Sequence, residues 1–369
     1  MKSSTSMYFI GLMSGTSTDG VDGVLVDFQE QTLPKIIGFT SLAMPTPLRE
    51  IFLSLNQKGE NELEKAFIAA NQLADIYAQC CHTLLKETGL SASDIVAIGA
   101  HGQTVRHRPD LGFTVQLNAP AYLAEQTGIN VVADFRSRDI AAGGQGAPFA
   151  PLLHQALFSD PQRNRVILNL GGIANITLLA PHQPLLGFDT GPANALMDYW
   201  IQQHQQKAYD HHGEWGASGQ VHHRLLAQLL QEPYFQQAAP KSTGRDLFNA
   251  QWLSAILDNF PPLAPQDIMA TLRALTSHSV VNAIQRYMPT VDEIIVCGGG
   301  AKNQVLLQEI STLANCPVHI MNEYGIDSQA VEALAFAWLA KAFIDKTPLN
   351  FPTITGAHHA TIAGAFYPK

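Results

Sequence analysis

Charge is sparse in this chain and cysteine nearly absent: of 369 residues, 14% are Asp, Glu, Lys or Arg and four are cysteine. Cys80, Cys81, Cys297 and Cys316 make no CxxC pair and no regular ladder. That excludes a zinc knuckle or a disulfide scaffold and reads as reduced thiols of a cytosolic kind. No apolar run approaches the ~18 residues of a membrane span. The opening MKSSTSMYFIG lacks the apolar stretch and cleavage site of a secretion signal, so a cytoplasmic location is expected. Basic stripes are missing as well. With a net charge of −9, nothing stands ready to release counterions from a nucleic-acid backbone. A nucleotide would have to be held by local dipoles and a metal ion. What is present is globular: 46% hydrophobic residues, in a chain long enough for two cores.

The stretch YFIGLMSGTSTDGVDGVLVDF, Tyr8–Phe28, organises the rest. Two apolar runs, Tyr8–Met13 and Val21–Phe28, flank the small polar turn Ser14–Gly20, which is a hairpin signal. Gly11, Gly15, Gly20 and Gly23 are expected to let a ligand approach bare backbone. The turn's hydroxyls and peptide N–H groups suit phosphate oxygens. Arg165–Ala180, RVILNLGGIANITLLA, repeats the design with the turn Gly171-Gly172-Ile173-Ala174-Asn175. After each hairpin come a strand, helical sequence and a strand with a glycine-rich end: DIVAIGAHGQ at Asp94–Gln103 and DEIIVCGGGAKN at Asp292–Asn303. Each half then adds a helix and a strand. The expectation is a duplicated α/β fold, two halves aiming both glycine turns at one cleft.

Several residues carry candidate chemistry. The helix over Glu62–Glu87 places Leu63, Phe67, Ala70, Leu73, Ile76, Tyr77, Cys80 and Leu84 at helical spacing, a core face ended by Gly89. His101 follows a strand's carboxyl end, where cleft residues gather, although a structural histidine fits equally. Phe135–Pro151, with its flexible Gly143–Gly146 run, reads as the crossing between halves. Arg136 or Arg138 suits a substrate carboxylate, the alternative being a linking salt bridge. In LLGFDTGPANALMD, Asp189 is read at a strand end, with Pro192 at the first position of a helix. A helix N-terminus favours an ionised carboxylate, which makes Asp189 a candidate general base. Residues 202–266, rich in His and Gln, match no metal spacing and read as solvated surface. Lys241–Asp246 lacks the upstream glycines of a P-loop. Gly298, Gly299 and Gly300 offer bare backbone to an adenosine, but Asn303 stands where a dinucleotide fingerprint needs glycine. Glu332, alone among apolar neighbours, is either paired structurally or points into a site.

Taken together, GLMSGTSTDGVD, AHGQTVRHRP, NLGGIANIT, GFDTGPAN and CGGGAKN resemble the anhydro-N-acetylmuramic acid kinase family over essentially the whole chain. That family lies in the acetate and sugar kinase/Hsp70/actin superfamily. The resemblance implies a two-domain, RNase H-like duplicated fold. Residues 1–135 with about 350–369 would form one domain, and 136–349 the other, with an insertion at about 202–266. It implies an ATP-dependent phosphotransferase that opens 1,6-anhydro-N-acetylmuramic acid with water and phosphorylates O6, in peptidoglycan recycling. Asp189 falls on the family's catalytic aspartate. Gly15, Thr16, Ser17, Thr18, Asp19, Gly20, Val21 and Asp22 fall on its triphosphate site, with Asp19 or Asp22 holding Mg²⁺ through water. Gly171, Gly172 and Asn175 would take the other side of the phosphates and Gly298–Gly300 the nucleoside. His101, Arg136 and Glu332 are weaker candidates for the sugar. A homodimer is implied, with neither nucleic-acid nor membrane partner. Ala193 stands where the family's GPGN carries glycine, and its methyl is expected to crowd the Asp189 turn. The alternatives are a sugar kinase acting on a free hydroxyl and a nucleotide-dependent switch without catalysis.

Overall fold

The computed structural model describes residues 7–29 and 33–369. Grouped by packing, the chain forms one unit from residues up to Leu153 together with Gly325–Lys369, and a second from His154–Tyr324. The sequence alone places these lines at 135/136 and about 349/350.

The first unit holds β1 (Tyr8–Ser14), β2 (Gly20–Asp27), β3 (Lys35–Ala43), β4 (Ile95–Arg108), β5 (Phe113–Leu117), β6 (Val131–Ala133) and β12 (Ala365–Tyr367). Their order is β12-β6-β4-β1-β2-β3, with β5 paired to β4. The second unit holds β7 (Arg165–Leu170), β8 (Ile173–Leu179), β9 (Leu186–Pro192), β10 (Glu293–Cys297) and β11 (Val318–Ile320), in the order β11-β10-β7-β8-β9. In each sheet the first three strands run antiparallel; β4 and β6 in the first sheet, and β10 and β11 in the second, lie parallel to the first strand of their sheet, while β5 pairs antiparallel to β4. With the β5 arm and the edge strand β12 set aside, both sheets read 3-2-1-4-5, the RNase H-like order. The duplication expected from the sequence is the fold.

Each sheet carries a long helix between its third and fourth strands, Glu62–Thr88 in one and Pro265–Tyr287 in the other. Glu62–Thr88 buries Leu73, Tyr77, Cys80 and Leu84 beside β2 and β3 and ends at Gly89 with φ 72°, the left-handed turn that glycine suits. Its first turns depart from expectation. Leu63 and Phe67 are 73% and 67% exposed, because periodicity marks a face without guaranteeing that anything covers it.

The other face of the first sheet is covered by helix Val331–Ile344, which packs on β1, β2 and β4 and is apolar nearly all round. Two glycines permit this. A Cβ on Gly11 would stand 1.9 Å from the Ala333 carbonyl oxygen, and one on Gly99 2.0 Å from that of Phe336. Gly11 therefore serves helix packing, correcting the expectation that it receives a ligand. Gly20 and Gly23 are likewise enclosed, by the Leu42 carbonyl and by Cys80, Leu12 and Leu84.

Candidate active site

In the first unit the β1–β2 turn is pinned from β4. Ser14 Oγ bonds Gln103 Oε1, and Gln103 Nε2 donates to the Gly15 carbonyl at 3.1 Å. Thr18 N–H closes the turn on Gly15 O at 3.1 Å, and Thr18 takes a left-handed φ of 54°. Thr16 and Ser17 are exposed, and Gly15 has nothing nearer its missing Cβ than Ser17 Oγ at 3.8 Å. Of the four glycines read as a ligand cradle, Gly15 alone opens onto space. Asp19 is exposed and 3.3 Å from Arg49, whereas Asp22 lies half-buried on β2 between Met13 and Ser41 in register. Among the described residues no three His, Cys, Asp or Glu side chains converge as a protein-only metal site would require.

Three further candidates, His101, Arg136 and Glu332, meet in the same unit. Arg136 donates from Nε to His101 Nε2 at 3.1 Å and from Nη1 to the Gly146 carbonyl at 2.8 Å, over the Phe149 ring. Burial, then the Arg136 charge, hold the His101 pKa down at about 3, so the ring is neutral. Glu332 is exposed on helix Val331–Ile344. Loss of surrounding water and then the Asp22 charge raise its pKa, while Arg136 pulls it back. Glu332 thus feels the opposed charges of Asp22 and Arg136. The glycine run of 143–146 is not slack: buried Asp139 accepts Gly146 N–H and Thr355 Oγ1, each at 2.6 Å.

In the second unit, register does what spacing had only hinted at. Cys297 on β10 pairs with Asn169 on β7, Asn169 with Asn175 on β8, and Asn175 with Asp189 on β9. Directly paired residues share a sheet face, so Asn169, Asn175 and Asp189 form one polar row. Asn169 escaped the sequence reading, where an isolated Asn in a hydrophobic strand gave no signal. Its Oδ1 fills the space beside Gly298, 2.3 Å from where a Cβ would stand.

Asp189 itself requires a correction. β9 continues to Pro192 and the next helix spans Asn194–Gln205, so Pro192 is a strand residue and Asp189 lies five positions before the helix. The helix dipole is not its partner. The segment following Tyr234 is. Asp189 N–H donates to Lys241 O at 3.1 Å, Tyr234 Oη donates to Asp189 O at 2.7 Å, and Thr243 N–H donates to Asp189 Oδ2 at 3.0 Å. Burial raises the Asp189 pKa and the Thr243 N–H opposes that rise. The sequence passed over Lys241–Thr243 because, with the P-loop set aside, no pattern tied it to a strand some fifty residues away.

The second glycine turn is docked rather than open. The Gly172 carbonyl accepts N–H bonds from Ala193 and Ala195, and that of Gly171 accepts one from Asn194, capping the helix Asn194–Gln205. Ala193 is buried in the unit's apolar core. Gly298 and Gly300 pack on the end of β7, and Gly299 stays open. Gly299 and Gly300 line a cavity of about 430 Å³ with Asn194, Asp198, Tyr209 and His211. Burial pushes Asp198 up to about 6, against the pull of Arg245. No helix among the described residues is long and apolar enough to cross a membrane.

Comparison with known proteins follows the same line. The sequence profile described as anhydro-N-acetylmuramic acid kinase matches residues 7–369. A protein of that name from Bordetella parapertussis is 55% identical over 363 residues, covering 98% of this chain and 96% of its own. One from Burkholderia thailandensis is 48% identical over 374 residues, covering 98% and 97%. Among solved structures, component A of the Acidaminococcus fermentans (R)-2-hydroxyglutaryl-CoA dehydratase aligns at 11% identity with a TM-score of 0.47, over 91% of this chain and 99% of that one. On the strength of its sequence relatives, this chain belongs to the anhydro-N-acetylmuramic acid kinase family.

Proposed function

We propose that the protein opens 1,6-anhydro-N-acetylmuramic acid with water and transfers the γ-phosphoryl group of ATP to O6, giving N-acetylmuramic acid 6-phosphate in peptidoglycan recycling. The observation that carries the reading is the setting of Asp189. Its carboxylate is half-buried, raised in pKa and oriented by one backbone N–H, which is how a general base is tuned and aimed.

Asp189 takes a proton from water as the oxygen attacks C1. The C1–O6 bond breaks, O6 leaves with its electron pair, and that charge is relieved by forming the bond to the γ-phosphorus while ADP departs. Two steps that are each difficult alone assist one another. Phosphoryl transfer is mostly positioning and charge neutralisation. The Gly15–Asp22 hairpin, open at Gly15 and carrying exposed Thr16 and Ser17, is assigned the triphosphate, with Gly171, Gly172 and Asn175. The cavity at Gly299 and Gly300 suits the nucleoside. Asp22, with Asp19 beyond it, fits a Mg²⁺ that keeps its water shell, since such ions take one or two carboxylates and leave the rest to phosphate and water. When bound, the ion would neutralise phosphate charge. Arg136, Glu332 and His101 are assigned to the sugar. The protein is proposed to work in the cytoplasm as a homodimer.

The test is turnover in ¹⁸O water with ATP, Mg²⁺ and the anhydro sugar. Label at C1 with phosphate at O6 is the expected result. Phosphorylation with the anhydro ring intact would point to an ordinary sugar kinase, and absence of turnover to a switch.

A further inference from the structure

A second cavity, of about 350 Å³, lies wholly within the second unit. Phe188 and Thr190, which flank Asp189 on β9, line it together with Lys241 and, from helix Pro265–Tyr287, Ala283 and Arg286. Phe188 is buried with its ring 5.2 Å from that of Tyr287. Side chains alternate along a strand, so Phe188 faces away from the polar row that holds Asp189. This is a separate site on the opposite face of β9.

Its chemistry is unbalanced. Two cations line it, and no Asp or Glu does among the described residues. Lys241 Nζ is 4.4 Å from the Tyr234 ring centre and donates to the Tyr234 carbonyl at 2.8 Å and more weakly to that of Phe235 at 3.3 Å. Arg286 uses Nη1 on the carbonyls of Gln236 and Gln237. Burial and then the Arg286 charge depress the Lys241 pKa, as expected of cations with no acid between them. Aromatic walls from Phe188, Phe235 and Tyr287 offer a ring-bearing ligand an apolar surface.

We propose that this cavity binds a small phosphate monoester carried on a ring, of sugar-phosphate size, and that occupancy is passed to Asp189 through Lys241–Thr243. The connection is short. Lys241 lines the cavity and gives its carbonyl to Asp189 N–H, and two residues later Thr243 N–H holds the carboxylate. An anion neutralised by both cations fixes this segment and steadies the carboxylate. The coupling half rests on Asp189 being the base; the binding half does not.

The full-length protein is titrated calorimetrically with glucose 6-phosphate and separately with inorganic phosphate, and initial rates are measured with glucose 6-phosphate present. Glucose 6-phosphate should bind more tightly than phosphate. Arg286→Gln should weaken it about tenfold, the scale of one charge-assisted hydrogen bond. Ala283→Phe should exclude it by filling the cavity. In the wild type it should raise kcat about fivefold at unchanged KM for the anhydro sugar, a response shifted to about tenfold higher concentration in Arg286→Gln and absent in Ala283→Phe. Absent binding, equal affinity for both anions, or binding kept in both variants overturns the site. Competition with the anhydro sugar, or an unmoved kcat, overturns the coupling. If the protein does not turn over the anhydro sugar at all, the proposed function fails while the binding result still stands on its own.

Discussion

The β1–β2 and β7–β8 hairpins occupy the same place in two sheets of the same order, yet they end in different ways. The first turn is braced from beneath by Gln103 and leaves Gly15, Thr16 and Ser17 open. The second gives its carbonyls to the N-terminus of helix Asn194–Gln205 and is locked there. The acids differ as well. In the first unit Asp22 sits on the second strand, and its charge and that of Arg136 act in opposite senses on Glu332. In the second, Asp189 sits on the third strand and its carboxylate is held by one backbone donor, Thr243 N–H. Topology was duplicated and local chemistry was not: the first unit gathers several charged groups around Glu332, and the second sets one half-buried carboxylate against a backbone N–H.

The strongest way to break this comparison is at Asp189. Asp189→Asn should cut turnover by at least ~10²-fold, the usual scale of a lost general base, while nucleotide binding persists. The converse test is Asp22→Asn, which should weaken ATP–Mg²⁺ binding before it affects chemistry. ADP release and calorimetric nucleotide titration separate the two effects, and near-wild-type turnover in Asp189→Asn would refute the assignment.

Glycines sharpen it next. Gly99→Ala drives a methyl into a helix carbonyl 2.0 Å away, where no flexible atom can yield, so a loss of roughly 3 kcal/mol or more is expected in denaturant unfolding. Gly15→Ala meets nothing within 3.8 Å and should leave stability within about 0.5 kcal/mol, yet raise KM for ATP if phosphates pass over that backbone. Equal stability losses in the two variants would erase the distinction between packing glycine and ligand glycine.

These two positions also show what the sequence makes legible. Alternation, glycine turns and a repeated order of elements were enough for the duplicated fold, because each is a local property of the chain. Gly11 and Gly15 look alike in sequence, and only the path of helix Val331–Ile344, more than 300 residues later, separates them. The candidate site is legible in sequence as residue types and illegible as partners. Its turn singles out Asp189 as a candidate, but the helix start expected at Pro192 falls at Asn194, because Pro serves a strand end as readily as a helix start. Its true holders, Lys241 and Thr243, are distant in sequence. Asn169 emerges only when register aligns three strands.

A pH series tests the tuning of Asp189. Its folded pKa is raised, so the acid limb of kcat/KM should lie above the ordinary Asp value. The sign for stability is the reverse of an ion-paired acid. Folded protein binds this proton more tightly than unfolded chain does, so the contribution is present below the unfolded pKa and lost as pH rises through the folded one. Asp189→Asn should therefore gain stability relative to wild type on going from acid to neutral pH.

The smallest effect is a silence, and it spans both units. His101 in the first is held at about 3 by burial and then Arg136, and His154 in the second at about 4 by burial alone, its Nδ1 2.9 Å from Thr177 Oγ1. Unfolded chain takes up protons near the ordinary histidine pKa and folded protein does not. Each ring thus contributes stability that is complete above that value and lost as pH falls toward its folded pKa. Of 14 histidines, these two should show no ring shift by NMR between about pH 5 and about pH 8. His154→Gln, which can keep a bond to Thr177, should flatten the acid loss of stability, whereas His101→Gln should flatten it and disturb Arg136 as well. If His101 titrates in that window, the neutral acceptor for Arg136 is gone. The contrast between a histidine that organises a charged cluster and one that only fills a core would then collapse.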